Sequence, residues 1–368
     1  MANSLQADVA RMFMIGFPGQ TLDADAKSLL WDGVFGAILF KRNVEGGAEQ
    51  TAALCSEVKA TGRAGCVMAV DQEGGRVARL RGAPFTALPP MRTLGEGPDG
   101  EARAERVGRL LAYELRAVGF DWDFAPVMDV DTNPQNPVIG DRAFHRSPER
   151  VAQLGVALSR GLELGGVGSC AKHFPGHGDT AQDSHLTLPR LPHSLERLRE
   201  VELLPFKAYA DAALASVMTA HVLFDALEPG VPATMSRRAL TEVLRGDLGF
   251  RGLVVSDDLE MKAVADHFPI EEAVVQGALA GVDLFLVCHR ADRQRAAIES
   301  LVRAVEAGRV PRTRIAEANA RLETFSHRFA QSGPPSLKAL GSAEHRTLAL
   351  GLAGAADGRD PTEALLTT

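Results

Sequence analysis

Short, uninterrupted apolar runs alternate along this chain with longer stretches in which apolar side chains recur every three or four positions. The runs cover Phe13 to Phe17, Ala37 to Phe40, Cys66 to Val70, Phe120 to Val130, Val167 to Ala171, Ser216 to Leu223, Leu253 to Ser256 and Val282 to Cys288. A strand covered on both faces reads as a continuous apolar run, whereas a strand with one wet face alternates. Eight buried strands are therefore predicted. The stretches between them carry helix signatures. Val107, Leu110, Leu111, Leu115 and Val118 share one face that Gly119 closes, and Ser147-Pro148-Glu149 supplies a cap, a first-turn proline and an early acid. A late helix through Ala297, Ile298, Leu301, Val302 and Val305 stops at Gly308, and Pro205 divides the pattern from Ser194 to Ala213 into two helices or kinks it.

Buried strands separated by helices make a parallel sheet covered on both sides. Eight such units fit an α/β fold of the closed (β/α)8 TIM-like barrel type better than an open doubly wound sheet, the second choice. No Gly-x-Gly-x-x-Gly follows the first strand, which argues against a dinucleotide site. Residues 1–330 are expected to form the catalytic barrel. Beyond Phe329 the pattern degrades, and 331–368 is expected to be a peripheral C-terminal extension, not a separate domain.

Composition narrows the partners. The 368 residues are 45% hydrophobic and 24% charged, with a net charge of −7 and dispersed Lys and Arg, so neither nucleic acid nor an anionic membrane is expected as partner. The start lacks the pattern of a secretory signal, and no apolar run is long enough to span a bilayer, so a cytoplasmic protein is expected. Cys55, Cys66, Cys170 and Cys288 form no Cys-x-x-Cys pair, and three lie in predicted strands, so buried reduced thiols are expected.

In a (β/α)8 barrel the chemistry comes from the C-terminal ends of the strands. The third strand runs into Asp71-Gln72-Glu73-Gly74-Gly75-Arg76-Val77-Ala78-Arg79, and the fourth into Asp129, Asp131 and Gly140-Asp141-Arg142. The fifth leaves Lys172 and His173 at its end before a loop of histidines and aspartates around Gly176, Gly178 and Pro175. The sixth supplies His221 and the seventh Ser256-Asp257-Asp258, while the eighth ends blandly at His289-Arg290. Paired carboxylates, a histidine, and Arg, Lys and His to bind hydroxyls are what a sugar-processing site needs: one group attacks or shields the anomeric carbon, another protonates the leaving oxygen. Asp257, fixed at a strand end, suits the nucleophile. In Asp183-Ser184-His185 the first and third residues of an extended segment face the same way, so the carboxylate can hold one imidazole nitrogen and make His185 an acid that later becomes a base. Gly176 and Gly178 suggest a loop that moves His185 in when sugar binds.

Five ordered blocks, namely Asp71 to Arg79, Ile139-Gly-Asp-Arg142, Lys172-His-Phe-Pro-Gly-His-Gly-Asp-Thr-x-x-Asp-Ser-His185, Pro232-Ala-Thr-Met-Ser236 and Ser256-Asp-Asp-Leu-x-Met261, resemble the β-N-acetylhexosaminidases of glycoside hydrolase family 3. The resemblance implies a retaining double displacement, with Asp257 as nucleophile and His185, paired with Asp183, as general acid/base. It further implies that Asp71, Arg79, Arg142, Lys172 and His173 bind a non-reducing N-acetylglucosamine, that no cofactor or metal is used, and that small muropeptide fragments of peptidoglycan are the substrate in cell-wall recycling. A monomer is expected. The chain departs from the family pattern at Ala143, where serine is frequent, and at Phe224, where an aromatic hydroxyl is often seen. Three other readings compete. A metal-dependent barrel hydrolase could draw ligands from His173, His177, Asp179, Asp183, His185 and His221, although a glycine-rich loop is a poor frame for a metal. A non-catalytic amino-sugar-binding protein would keep the donors. A hexosaminidase that uses the substrate's own acetamido oxygen as nucleophile would not need Asp257.

Overall fold

The computed structural model describes residues 4–96, 99–180, 188–330 and 336–352. Eight parallel strands carry the fold: β1 (Phe13–Ile15), β2 (Gly36–Leu39), β3 (Val67–Val70), β4 (Trp122–Asp123), β5 (Cys170–Phe174), β6 (Ser216–Thr219), β7 (Leu253–Asp258) and β8 (Leu284–Val287). Their order around the sheet is β4-β3-β2-β1-β8-β7-β6-β5. Between β4 and β5 the ring closes through parallel bridges at Trp122–Gly168 and Val127–Lys172 and through the bonds Gly168 N–H to Asp121 O and Cys170 N–H to Ala125 O, at 2.9 and 2.7 Å. All eight predicted runs contribute a barrel strand. Side chains fill the interior. Phe13 and Phe285, on adjacent strands, stack with centroids 5.4 Å apart, and Trp122 packs edge-on to Phe124 at 4.8 Å.

Two strands differ from expectation for identifiable reasons. The run from Phe120 to Val130 is extended and bonded to β5, but only Trp122–Asp123 forms a continuous ladder. Pro126 has no N–H to donate, so pairing resumes beyond it as a single bridge. The fifth strand lies three residues later than Val167–Ala171, so Lys172 and His173 sit inside β5 rather than past its end. A strand can hold charged residues where each finds a partner, and both do so in the barrel mouth.

Helix ends follow the local chemistry. Ser147 caps Pro148–Leu164 by accepting from Arg150 N–H, and Gly119 ends Gly100–Val118 in the left-handed conformation at φ 101°. Helix Ala291–Glu306 stops two residues before Gly308, and Leu195–Glu200 is followed by Leu203–Asp211, with Pro205 in the first turn of the second helix. Past Phe329, helix Ala343–Leu350 lies against Gly100–Val118, where His345 Nδ1 is 3.1 Å from Glu114 Oε1. Among the described residues no helix is long and apolar enough to cross a membrane.

Helices Gly100–Val118 and Pro148–Leu164 touch backbone to backbone at Gly108 and Gly161. A Cβ on Gly161 would lie 2.1 Å from Glu105 O, and one on Gly108 2.1 Å from Leu158 O. Gly161→Ala gains about 1 kcal/mol of helix propensity but must push the two backbones apart. We expect a net loss of about 2 kcal/mol, read as a lower urea midpoint; an unchanged or raised midpoint would show that the helices part freely.

Candidate active site

The block from Asp71 to Arg79 leaves β3 as a tight hairpin, Gln72–Gly74 against Val77–Ala78. Gln72 staples it: its Oε1 accepts from the N–H of Arg79 and of Leu80, and its Nε2 donates to Leu80 O. Gly74 and Gly75 turn the chain at φ 97° and 57°, where a side chain would be strained. Asp71 and Glu73, two apart in an extended segment, therefore face the same side. Arg76 ties the hairpin to the Ile139–Arg142 block by donating to Val138 O, Ile139 O and Asp141 Oδ1.

Charges alternate across the floor of the barrel mouth. Lys172 Nζ lies 2.8 Å from Asp71 Oδ1 and 2.7 Å from Glu73 Oε1. Arg142 forks onto Glu73, Nε to Oε2 at 2.9 Å and Nη2 to Oε1 at 2.8 Å, and Arg79 Nη2 is 3.1 Å from Asp71 Oδ2. Burial alone would raise both carboxyl pKa values, but Lys172 and Arg79 hold Asp71 below the ordinary carboxylate value, and Arg142 and Lys172 hold Glu73 far lower. Burial likewise opposes the Lys172 ammonium, and Asp71 and Glu73 outweigh it, so its pKa is raised. Asp129, also buried, accepts from the N–H of His173 and of His177 through Oδ1, and its Oδ2 is 2.8 Å from His173 Nδ1. A carboxylate beside Nδ1 keeps the proton there, so Nε2 is the ring nitrogen left for a ligand. Burial raises Asp129, and His173 and His177 together more than offset it, leaving the carboxyl below its ordinary value.

Asp257, in β7, is partly exposed, and its Oδ1 accepts from Asp258 N–H at 2.8 Å. Its Oδ2 has no hydrogen-bond partner among the described residues. Asp71, Arg79, Arg142, Lys172, His173 and Asp257 all line one cavity at the C-terminal mouth of the barrel. Val138, Met218 and Leu286 give it an apolar wall, a combination that suits a small hydroxylated ligand with a carbon face. Asp183 and His185 lie outside the described residues.

The first half of the long loop is pinned. Asn136 Nδ2 donates to His177 O, Gly178 O and Thr180 Oγ1, Thr132 donates to Asp179 Oδ1, and Asp179 Oδ2 is 2.6 Å from His193 Nε2. A Cβ on Gly178 would sit 1.8 Å from Val130 O. That glycine serves a close approach. His177 lines the cavity. His221 does not: it is buried behind Asp258, not a wall of the cavity. Among the described residues no three His, Cys, Asp or Glu gather as a metal would need.

Several functional neighbours escape a reading of the sequence. Glu73 carries two of the site's cations, yet only its spacing from Asp71 hints at it. Asp129 orients His173 across the barrel, and no local signal announces that. The end of β8 is not bland, since His289 Nε2 lies 3.0 Å from Asp258 Oδ2 and its ring rests 5.5 Å from that of Phe40.

The depressed carboxyls set the acid limit of stability. Asp71, Glu73 and Asp129 release their protons more readily folded than unfolded, so their contribution is complete above the unfolded carboxylate pKa of about 4 and is lost as pH falls through the folded values. Asp123 works the other way: burial raises its pKa well above normal, and its Oδ2 has no hydrogen-bond partner among the described residues. Glu163, Glu202 and Glu260 are raised by burial too, but a raised carboxyl completes its change above the unfolded value of about 4, so below that pH the depressed groups decide the slope. We expect the urea midpoint to fall steeply below about pH 4; a midpoint flat down to pH 3 would contradict the charge arrangement.

A closed barrel of parallel strands with its polar cavity at the strand C-termini, lined by carboxylates and fixed cations, is the architecture of a barrel hydrolase. The family model described as Glycosyl hydrolase family 3 N terminal domain matches residues 4–325. The β-hexosaminidase of Neisseria meningitidis serogroup C is 45% identical over 276 residues, 73% of this chain and 75% of that protein. The β-hexosaminidase of Pseudomonas aeruginosa is 41% identical over 291 residues, 79% and 86% of the two chains. Among solved structures, a family 3 β-N-acetylglucosaminidase from Paenibacillus sp. superposes with a TM-score of 0.90 at 39% identity, covering 95% of this chain and 68% of that one. The NagZ protein of Neisseria gonorrhoeae in complex with N-trifluoroacetyl-D-glucosamine gives 0.78 at 36%, covering 93% and 98%. The chain belongs to glycosyl hydrolase family 3. It is a glycoside hydrolase of the β-hexosaminidase type.

Proposed function

We propose that the chain is a retaining exo-β-N-acetylglucosaminidase that removes terminal non-reducing N-acetylglucosamine by double displacement. One observation carries this reading. A partly exposed carboxylate, Asp257, opens onto a cavity whose polar walls include Asp71, Arg142, Lys172 and His173, each held by a partner from a different element, and Arg79, held by Asp71 of its own hairpin. Fixed donors and acceptors of this kind bind sugar hydroxyls without reorganising during reaction. In the first step a carboxylate oxygen of Asp257 bonds to the anomeric carbon as the bond to the leaving oxygen breaks, and His185, steadied by Asp183, gives that oxygen its proton. In the second, water attacks the same carbon, His185 takes a proton from it, and the Asp257 carboxylate departs.

The physiological substrate in this reading is a small muropeptide fragment, handled by a cytoplasmic monomer without a cofactor. Residues 1–330 form the catalytic barrel and 331–368 the peripheral extension. The relative from Neisseria gonorrhoeae, with an N-acylated glucosamine analogue in its complex, supports the choice of amino sugar. The test is to assay a chromogenic β-N-acetylglucosaminide beside the matching β-glucoside, with His185→Ala in parallel. The amino sugar should be cleaved far faster. In His185→Ala the loss should be largest for poor leaving groups, which need the proton most. Equal rates on both sugars would overturn the substrate assignment, and full activity in His185→Ala would overturn the acid/base assignment.

A further inference from the structure

The block Pro232-Ala-Thr-Met-Ser236 lies away from the cavity, and no step above uses it. It folds as the tight turn Ala233–Met235 and buries Thr234 completely. The Thr234 hydroxyl is 2.8 Å from Thr219 Oγ1 at the end of β6, 2.8 Å from His221 Nδ1, and 3.1 Å from Ala220 O. On its other side, His221 Nε2 is 3.0 Å from the backbone oxygen of Asp258.

The hydrogens of this chain of contacts follow from its chemistry. A carbonyl only accepts, so His221 carries its proton on Nε2 and donates it to Asp258 O. Burial holds the His221 pKa down, against the opposing pull of Asp257 and Asp258, so the ring is neutral and Nδ1 is bare. The Thr234 hydroxyl has two acceptors within reach, Ala220 O at 3.1 Å and Nδ1 at 2.8 Å, and gives its one hydrogen to the nearer Nδ1, while Thr219 in turn donates to Thr234. Residue 258 is thus gripped at its carbonyl by His221, while its own N–H holds Asp257 Oδ1.

We propose that Thr234 and His221 are positioning residues for the nucleophile: the hydroxyl holds the imidazole in place at its bare Nδ1, the imidazole fixes the carbonyl of Asp258, and the Asp257 carboxylate is thereby aimed at the anomeric carbon. The proposal rests on Asp257 being the nucleophile. Neither side chain touches sugar, so their loss should slow bond formation at Asp257 and leave substrate binding almost unchanged. A misplacement of about 1 Å can cost about a hundredfold in rate.

The experiment is covalent trapping with 5-fluoro-N-acetylglucosaminyl fluoride. The Asp257 oxygen bonds to the anomeric carbon as fluoride leaves, and because fluoride needs no proton the step isolates the nucleophile from His185. Peptide mass spectrometry reads two quantities, the fraction of chains labelled at Asp257 and the rate constant of labelling. Loss of folded protein lowers the fraction, whereas misplacement lowers the rate constant. Thr234→Val should label about tenfold more slowly or worse, with KM for a chromogenic substrate little changed, and Thr234→Ser, which restores the hydroxyl, should recover most of the rate. A wild-type rate constant in Thr234→Val overturns the proposal. If Thr234→Val does not fold, His221→Gln is compared with His221→Leu: the amide, with an N–H of similar reach, must label faster, and equal rates overturn it. Absence of label on Asp257 in the unaltered chain is a different result, and it overturns the nucleophile assignment itself.

Discussion

Asp257→Ala leaves a folded chain that turns over a chromogenic β-N-acetylglucosaminide at least on the order of 10⁴-fold more slowly. The size of the loss follows from what the carboxylate does. In the proposed mechanism it forms the bond that splits one difficult displacement into two easier ones, and no neighbour can take its place. Asp258 is one residue away, but its Oδ1 is engaged by Glu260 N–H and Cys288 N–H, and its backbone oxygen is held by His221. Stability should not fall, because Asp257 belongs to a run of acids with Asp258 and Glu260, and burial and then Asp258 already raise the Glu260 pKa. Removing one like charge from that run relieves repulsion. Azide supplies the positive control. In the space vacated by the carboxylate it should attack the anomeric carbon directly, with the aglycone leaving on the other face, and give the α-glycosyl azide. Activity within about tenfold of wild type would instead point to the substrate's acetamido oxygen as nucleophile.

How much of this was legible from residues alone depended on whether the signal was local. Ser147, Pro148 and Gly119 act on their own helix termini, so their sequence neighbours suffice to place those ends. The order of the strands followed from apolar runs, but the narrow part of the barrel wall did not. A proline at 126 interrupts the ladder, and the polar pair at 172 and 173 continues a strand that polarity alone would have ended. The six described residues that line the cavity stood out because each stands in a block with its own turn chemistry. Asp129, by contrast, lies 44 residues before the histidine it orients, and His289 lies 31 residues beyond the aspartate it approaches. Such pairs exist only once the barrel closes. One role of the loop glycines was hidden for a related reason. Freedom of rotation is visible in a sequence, but the carbonyl of Val130 that leaves no room for a side chain at 178 is not.

Glu73→Gln should show the second largest effect, on stability and catalysis together. The side chain is 2% exposed and faces two cations, so the substitution takes a carboxylate partner from both Arg142 and Lys172 and leaves them buried. Removing one partner of a buried pair costs about 3 to 5 kcal/mol, because the uncompensated charge remains in low dielectric. An amide of the same shape still accepts one hydrogen bond, and Lys172 keeps Asp71, so the lower end of that range is expected. Urea denaturation at pH 7 reads it. The same variant should lose part of the stability drop below about pH 4, since one of the three depressed carboxyls responsible for that drop is missing. Catalysis should suffer mainly in KM. In the proposed reading Lys172 and Arg142 bind the sugar, and without Glu73 each can swing toward solvent or toward Asp71, so the binding geometry loosens while Asp257 stays in place. A variant with unchanged stability and unchanged KM would mean that the two cations are held by the barrel wall alone, and that the carboxylate between them is incidental to the site.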